Sequence, residues 1–271
     1  MLLPAWSPWL VMWVLATIIF VACKWLTWRA TPAPNTPRWR HLAYLFAWPG
    51  LDAKAFLDPR PLASERRPSC GEWAFAAGKL ALGAVLLWGA VPQVPTELPL
   101  IRGWVGMAGL IFLLHFGVFH LLSCAWRSVG VDAKPLMNWP ILAVSVSEFW
   151  GKRWNTAFRD LTHRFLFRPL AKWFGPRGGV AAGFLFSGIV HDLVISIPAG
   201  GGYGWPTLYF VIQGVGLLVE RSKMGKRFGL SAGWRGRVFT AVVIIGPAFG
   251  LFHPPFVLEV ILPFLAAIGA D

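Results

Sequence analysis

The chain has 271 residues, of which 56% are hydrophobic and only 14% charged, where a soluble domain carries about 25% charge. That shortage of charge, with a mean hydropathy of +0.58, excludes an ordinary soluble domain and implies a surface that faces lipid. The net charge is +13 and there are 17 Trp; because the basic residues lie between apolar runs, they point to anionic headgroups and the positive-inside rule rather than to nucleic acid.

Taken in chain order, seven apolar runs approach the roughly 20 residues that a spanning helix needs. They are Trp9–Cys23, Trp73–Ala90, Gly103–Ala125, Gly178–Pro198, Trp205–Val219, Val238–Phe252 and Phe256–Ile268. The last two, parted by His253-Pro254-Pro255, read as two spans or as one broken hairpin. Leu136–Val146 is apolar but too short to cross, and Tyr44–Leu57 either dips into the membrane or lies on it. The pattern predicts an all-α, polytopic membrane helical bundle of about seven transmembrane helices, within six to eight. One membrane domain, 1–271, accounts for the whole chain. The first run lacks a basic flank before it and a small-residue cleavage pattern after it, so it is expected to be a retained helix rather than a signal peptide. Thr31-Pro32-Ala33-Pro34-Asn35-Thr36-Pro37 reads as extended linker. Cys23, Cys70 and Cys124 match neither a zinc nor a disulfide framework.

Charge orders the loops. The stretches 24–72, 126–177 and 221–237 hold eight, nine and six Lys/Arg, whereas 91–102 and 199–204 hold one and none. Seven spans put every basic stretch on the same side, which is then cytoplasmic. The compact chain leads us to expect a bacterial inner membrane.

Two neighbouring segments carry chemistry. In SEFWGKRWNTAFRDLTHRFLFRPLAKWFGPR (147–177), Trp150, Trp154, Phe158, Leu161 and Phe165 share a helical face, with Lys152, Arg153, Arg159 and Arg164 off it. This pattern predicts a basic amphipathic helix in the cytoplasmic interface, ended or kinked near Pro169. It anchors the chain on anionic lipid or receives a phosphate-bearing substrate. The next apolar run holds His191 and Asp192, and ionisable residues inside a span are costly and mark functional sites by default.

SEFWGKRWNTAFRDLTHRFLFRPL followed by FLFSGIVHDL resembles the wax synthase branch of the membrane-bound O-acyltransferase family, which has an SLQDFWGRRWN-like block and then an SGLMHE-like block. The downstream YFVIQGVGLLVE is also similar, and WPGLDAKAFL (48–57) is a weaker match. The order of the blocks and the 36 residues between Asn155 and His191 make the resemblance specific, and it centres on 147–220 as the catalytic core. It implies an MBOAT-like bundle that moves an acyl group from acyl-CoA, a co-substrate rather than a resident cofactor, to a hydroxyl acceptor. Long-chain alcohol is the expected acceptor, with diacylglycerol or a sterol-like alcohol as alternatives. By motif, His191 and Asn155 are the expected catalytic residues. The family often has Glu where this chain has Asp192, and the chain is short for the superfamily.

These residue types suit the chemistry. A neutral imidazole at His191 can take the proton of an attacking alcohol. The Asn155 amide can donate to the tetrahedral oxyanion, or position the thioester or the histidine. Lys152, Arg153 and Arg159 are expected to attract CoA phosphates, with Glu148, Trp150, Trp154, Ser187 and Asp192 completing the substrate site. No metal is expected. His115 and His120 are five residues apart, share a face poorly, and read as core contacts. His163 is a lesser candidate for substrate binding. His253 is expected at the outer interface, Glu220 in a local ion pair with Arg221, and GGGYG (200–204) in a hairpin rather than a phosphate loop. Two rivals remain: a proton-coupled transporter, favoured by an intramembrane His and Asp, and a non-catalytic protein on an acyltransferase scaffold. Clustered histidines of a di-iron enzyme are missing.

Overall fold

The computed structural model describes residues 6–271, apart from the side chain of Asp160. Every regular element among them is helical. Four helices are long and apolar enough to cross a membrane: α1 (Pro8–Arg29), α3 (Ser64–Gln93), α4 (Pro99–Ser128) and α5 (Thr156–Ala199). A fifth unit is a pair, α7 (Gly233–Leu251) and α8 (Pro254–Ala267), bent by 62° at the break that holds His253. The chain is thus a polytopic helical membrane protein with four to five candidate spans, fewer than the seven apolar runs. Two of those runs form the bent pair. A third became α6 (Trp205–Arg221), whose 17 residues reach about 26 Å, at the short limit for crossing.

Local chemistry sets the helix ends. Pro8 opens α1, where a missing N–H costs nothing. The Ser69 hydroxyl accepts from the Glu72 N–H at the first full turn of α3. The α3–α4 hairpin closes tightly because both faces are stripped of side chains where they meet. A Cβ at Gly83 would lie 2.3 Å from the Leu113 nitrogen, and one at Gly117 would lie 2.8 Å from the Leu80 Cα. Small residues give membrane helices this close backbone approach.

Apolar packing falls into two clusters. One joins α4, α5, α6 and α8 through residues such as Met107, Ile195, Phe210 and Val257. The other lies under the basic loops and unites Tyr44, Trp48 and Phe56 with Val131, Leu136 and Leu161. The stretch after α1 is therefore folded rather than free. The Lys24 ammonium, at the end of α1, donates to the Trp48 carbonyl at 2.7 Å and also to that of Gly50. The Thr36 hydroxyl donates to the Leu57 carbonyl, so the Pro-rich linker is docked. Short helix α2 (Arg38–Ala47) buries Arg40 and Tyr44 and leaves Phe46 exposed, as an interfacial helix does.

The expected single amphipathic helix over 147–177 is in fact three pieces. A helical turn spans 146–153, the chain breaks at Trp154 and Asn155, and α5 starts at Thr156. The cause is Asn155, whose φ of 38° interrupts a right-handed helix and is tolerated best by Gly, Asn and Asp. Pro169 does not end or kink the helix: the backbone stays helical through Phe167 and Arg168 just before it. The bend comes at Gly175 (φ 69°, ψ 173°), just before Pro176. Trp173 and Phe174 beside that bend are exposed and suit the lipid interface.

Candidate active site

His191 lies on α5 after the bend. Its Nδ1 sits 2.7 Å from the Ser187 carbonyl, one turn back. A carbonyl only accepts, so Nδ1 carries the proton and donates. In the neutral ring Nε2 then holds the lone pair. Nε2 makes no hydrogen bond among the described residues. The ring is packed 4.3 Å, centroid to centroid, from Phe210 of α6. Ser187 thus contributes its backbone, not its hydroxyl.

The 146–155 segment is clamped against this pair of helices. Trp150 is inserted between Phe184 (5.8 Å) and Phe210 (5.7 Å), so one ring separates it from His191. Its indole N–H reaches Gln213 at 3.4 Å. Glu220 is buried, and its carboxylate accepts from the backbone N–H groups of Val146 and Ser147 at 2.5 and 3.3 Å. That corrects the expected Glu220–Arg221 ion pair: the carboxylate meets a helix N-terminus, where anions are favoured, and Arg221 donates to the Ser147 hydroxyl. Glu148 and Arg153 form a salt bridge at 2.7 Å. The Val144 N–H, followed by Arg153, holds the Glu148 carboxyl below its ordinary range. Arg153 also donates to the carbonyls of Asn138 and Trp139, so both residues of this pair are engaged in holding the loop.

Trp154 stacks on Phe149 at 5.7 Å and meets Phe116 of α4 edge-on at 6.3 Å. Asn155 follows at the break. Its Oδ1 accepts weakly from the Phe158 N–H at 3.5 Å, in the manner of a helix cap. No hydrogen bond joins Asn155 to His191; a row of rings (Trp154, Phe149, Trp150, Phe210) connects their surroundings.

Asp192, next to His191, points to another task. Its carboxylate accepts from Ser196 (2.7 Å), Thr207 (2.6 Å) and the Gly204 N–H (3.0 Å), fastening the end of α5 to the start of α6. Ser196 also lies 3.1 Å from His253 Nε2, giving a Ser-His-Asp cluster. Its polarity runs the wrong way for a nucleophile. His253 Nδ1 accepts from the Phe256 N–H, so Nε2 is the protonated nitrogen and donates to Ser196, whose own proton goes to Asp192. His253 is buried in this lock, where its two nitrogens bridge α8 and α5.

A pocket of about 970 Å³ lies on the far side of the aromatic row, between α3, α4, the 132–141 loop and the start of α5. Lys152 and Arg159 line it; His191 does not. Its wall carries a network that joins α3 to α4. The Glu72 carboxylate receives His120 Nε2 at 2.9 Å and the Arg127 guanidinium. The Lys79 ammonium sits 2.7 Å from His120 Nδ1. Glu72, His120 and Cys124 bring three ligand atoms within 4.8 Å of one another, as a metal would need. Yet both nitrogens of His120 are engaged, and the Arg127 guanidinium already faces the carboxylate, which opposes a further cation. His115 stands apart from this network, against Phe119, and His163 stacks on Phe167.

A model of the membrane bound O-acyl transferase family matches residues 133–212, which hold the clamped segment, Asn155 and His191. Over that stretch the chain is similar to that family. It is 32% identical to a long-chain-alcohol O-fatty-acyltransferase of Simmondsia chinensis over 126 residues, covering 41% of this chain and 36% of that protein. It is 29% identical to a probable long-chain-alcohol O-fatty-acyltransferase 9 of Arabidopsis thaliana over 150 residues, 51% of this chain and 43% of the other. An Arabidopsis acyl-CoA--sterol O-acyltransferase 1 is 27% identical over 178 residues, 58% of this chain and 51% of its own length. The chain thus spans between about a third and a half of these relatives.

The matched stretch holds His191, Asn155, Trp150 and, among the residues lining the pocket, Lys152 and Arg159. Glu72, Lys79 and Arg127 lie outside it, and sequence reasoning missed them. A signal was there: Glu72 and Lys79 are seven residues apart on α3, and His120, Cys124 and Arg127 recur at four and three on α4, a spacing that lines one face of each helix.

Proposed function

We propose that the chain is a membrane O-acyltransferase that moves a long-chain acyl group from acyl-CoA to the hydroxyl of a lipophilic alcohol, with 147–220 as its catalytic core. The observation that carries the reading is the tautomer of His191: Nδ1 is committed to the Ser187 carbonyl, which leaves Nε2 as a base. The alcohol oxygen attacks the thioester carbonyl as Nε2 takes its proton. The C–S bond then breaks, and the CoA sulfur leaves with that proton. Such base catalysis is worth about 10²–10⁴-fold. Asn155 serves the same centre, by donating to the oxyanion or by fixing the turn that presents the 149–154 rings. Lys152 and Arg159 draw the donor's phosphates to the cytoplasmic mouth of the pocket, with the basic loops inside and seven crossings counted from the charge pattern. The low-water interior protects the thioester from hydrolysis.

The names of the relatives support a fatty alcohol as acceptor, with a sterol-like alcohol or diacylglycerol next. Membranes carrying the parent or His191→Ala, supplied with labelled palmitoyl-CoA and a panel of fatty alcohols, sterols and diacylglycerol, test the reading. Ester is expected from the parent, and about 10²–10⁴-fold less from an equally abundant variant. Equal ester from both would remove His191 as the base; ester from neither would remove the reaction.

A further inference from the structure

We propose that Lys79, held in place by His120, is an anion receptor inside the α3–α4 pocket and binds a phosphate of the CoA donor. This inference rests on the donor reading given above and adds a residue that the family-matched stretch does not contain.

Lys79 lines the pocket on a membrane-spanning helix, seven residues beyond Glu72, or about 10 Å further along α3. An ammonium at such a position is costly unless something negative or wet meets it. It meets a neutral imidazole at 2.7 Å and the rings of Phe75 and Phe116 at 4.4 and 6.0 Å. It makes no salt bridge among the described residues. An ammonium has three donors, and the hydrogen bond to His120 uses one.

Three acids line the pocket, Asp52, Glu72 and Asp132; Asp52 accepts from the Ala55 N–H, and Asp132 keeps one buried oxygen without a hydrogen-bond partner among the described residues. Glu72 is bound by Arg127 and His120. Asp132 lies 3.5 Å from Arg66 and 3.9 Å from Lys134. Lys152, at the mouth of the same pocket, also makes no salt bridge among the described residues. Three lysines line this cavity of about 970 Å³, and the two without a salt bridge among the described residues, Lys79 and Lys152, suit a large ligand with separated anionic groups. A CoA thioester has that character, and the cavity is within the usual range for such sites.

His120 is the positioning residue. Facing an ammonium, its Nδ1 can only accept, so Nε2 bears the proton and donates to Glu72. Arg127 holds Glu72 in turn. The chain Arg127–Glu72–His120–Lys79 therefore presents a fixed cation without placing a carboxylate against it.

The test is equilibrium binding of labelled CoA to purified protein in phosphatidylcholine nanodiscs, with thermal midpoints recorded for each variant. Lys79→Met is expected to weaken CoA binding roughly tenfold or more, the loss of one charge-assisted hydrogen bond. Lys79→Arg should keep most of the affinity, and His120→Leu should lose several-fold. Pantetheine, which lacks the phosphates, should bind parent and Lys79→Met alike. A folded Lys79→Met variant that binds CoA like the parent overturns the inference while leaving the acyltransferase reading intact. Equal weakening of CoA and pantetheine overturns it too, as a packing loss. Displacement of bound CoA by phosphatidylglycerol nanodiscs, in the parent but not in Lys79→Met, would assign the receptor to a lipid phosphate instead. A parent that binds no CoA and makes no ester fails both readings.

Discussion

His191 and His120 both sit on apolar helices of this protein, and their surroundings differ. His191 spends one nitrogen on the Ser187 carbonyl and leaves the other without a hydrogen-bond partner among the described residues. His120 has both nitrogens engaged by side chains, Glu72 on one side and Lys79 on the other. The first ring is oriented and chemically open; the second is a spacer between charges. A histidine in a membrane span is thus not a functional signal by itself. For these two rings, the difference is how many of the two nitrogens the fold has already used.

Kinetics breaks or sharpens this contrast most strongly. His191→Ala should lower kcat by the full value of a general base, about 10²–10⁴-fold. His120→Leu should leave kcat near the parent value and raise KM for acyl-CoA, since it acts on Lys79 and not on the reacting atoms. Steady-state rates at matched protein abundance check both. A His120→Leu enzyme with normal KM and collapsed kcat would reverse the two roles.

Stability should show the opposite ranking. Glu72→Ala removes the acceptor shared by Arg127 and His120 and leaves a buried guanidinium short of a partner. A loss of roughly 1.5–3 kcal/mol is expected for a charged hydrogen bond of this kind, read as a fall in thermal midpoint in detergent. His191→Ala breaks a single bond to a backbone carbonyl and should lower the midpoint less. Equal shifts would mean that the α3–α4 network is no more structural than the catalytic ring.

The two regions were not equally legible. His191 stood out because a charged pair inside an apolar run is expensive, and the blocks around it follow a family pattern. The membrane bundle was legible for the same reason. The α3–α4 network was not, because its bonds join residues 41 and 48 positions apart; seen singly, Glu72 is an ordinary first-turn acid. The amphipathic helix over 147–177 was misread because hydrophobic spacing cannot register a single left-handed residue. Four to five candidate spans stand against seven apolar runs, because the run after Trp205 forms a helix of only 17 residues and the last two runs form one bent pair.

Asn155 offers a finer cut, because its backbone and its amide make separable demands. With φ at 38°, Asn155→Gly relaxes the turn but deletes the amide, whereas Asn155→Ala deletes the amide and adds strain of about 1–2 kcal/mol. If the residue matters through its turn, Gly should retain much more activity than Ala. If it matters through its amide, the two should fall together. Ester formation beside thermal midpoints for both variants separates the cases.

The smallest effect comes from Glu148, which fixes the clamped loop without touching the pocket network. Its folded pKa lies below the ordinary carboxylate value of about 4.3. A group lowered on folding adds stability at pH above its unfolded value and loses it as the pH falls through the folded one. The pair with Arg153 is partly open to solvent, so the gain should stay below about 1 kcal/mol. The midpoint difference between the parent and Glu148→Gln should therefore be constant from pH 7 to about pH 5 and close on further acidification. A difference that widens in acid would mean that the loop is held by Trp150 and Glu220 alone, and that Glu148 and Arg153 are available to a ligand after all.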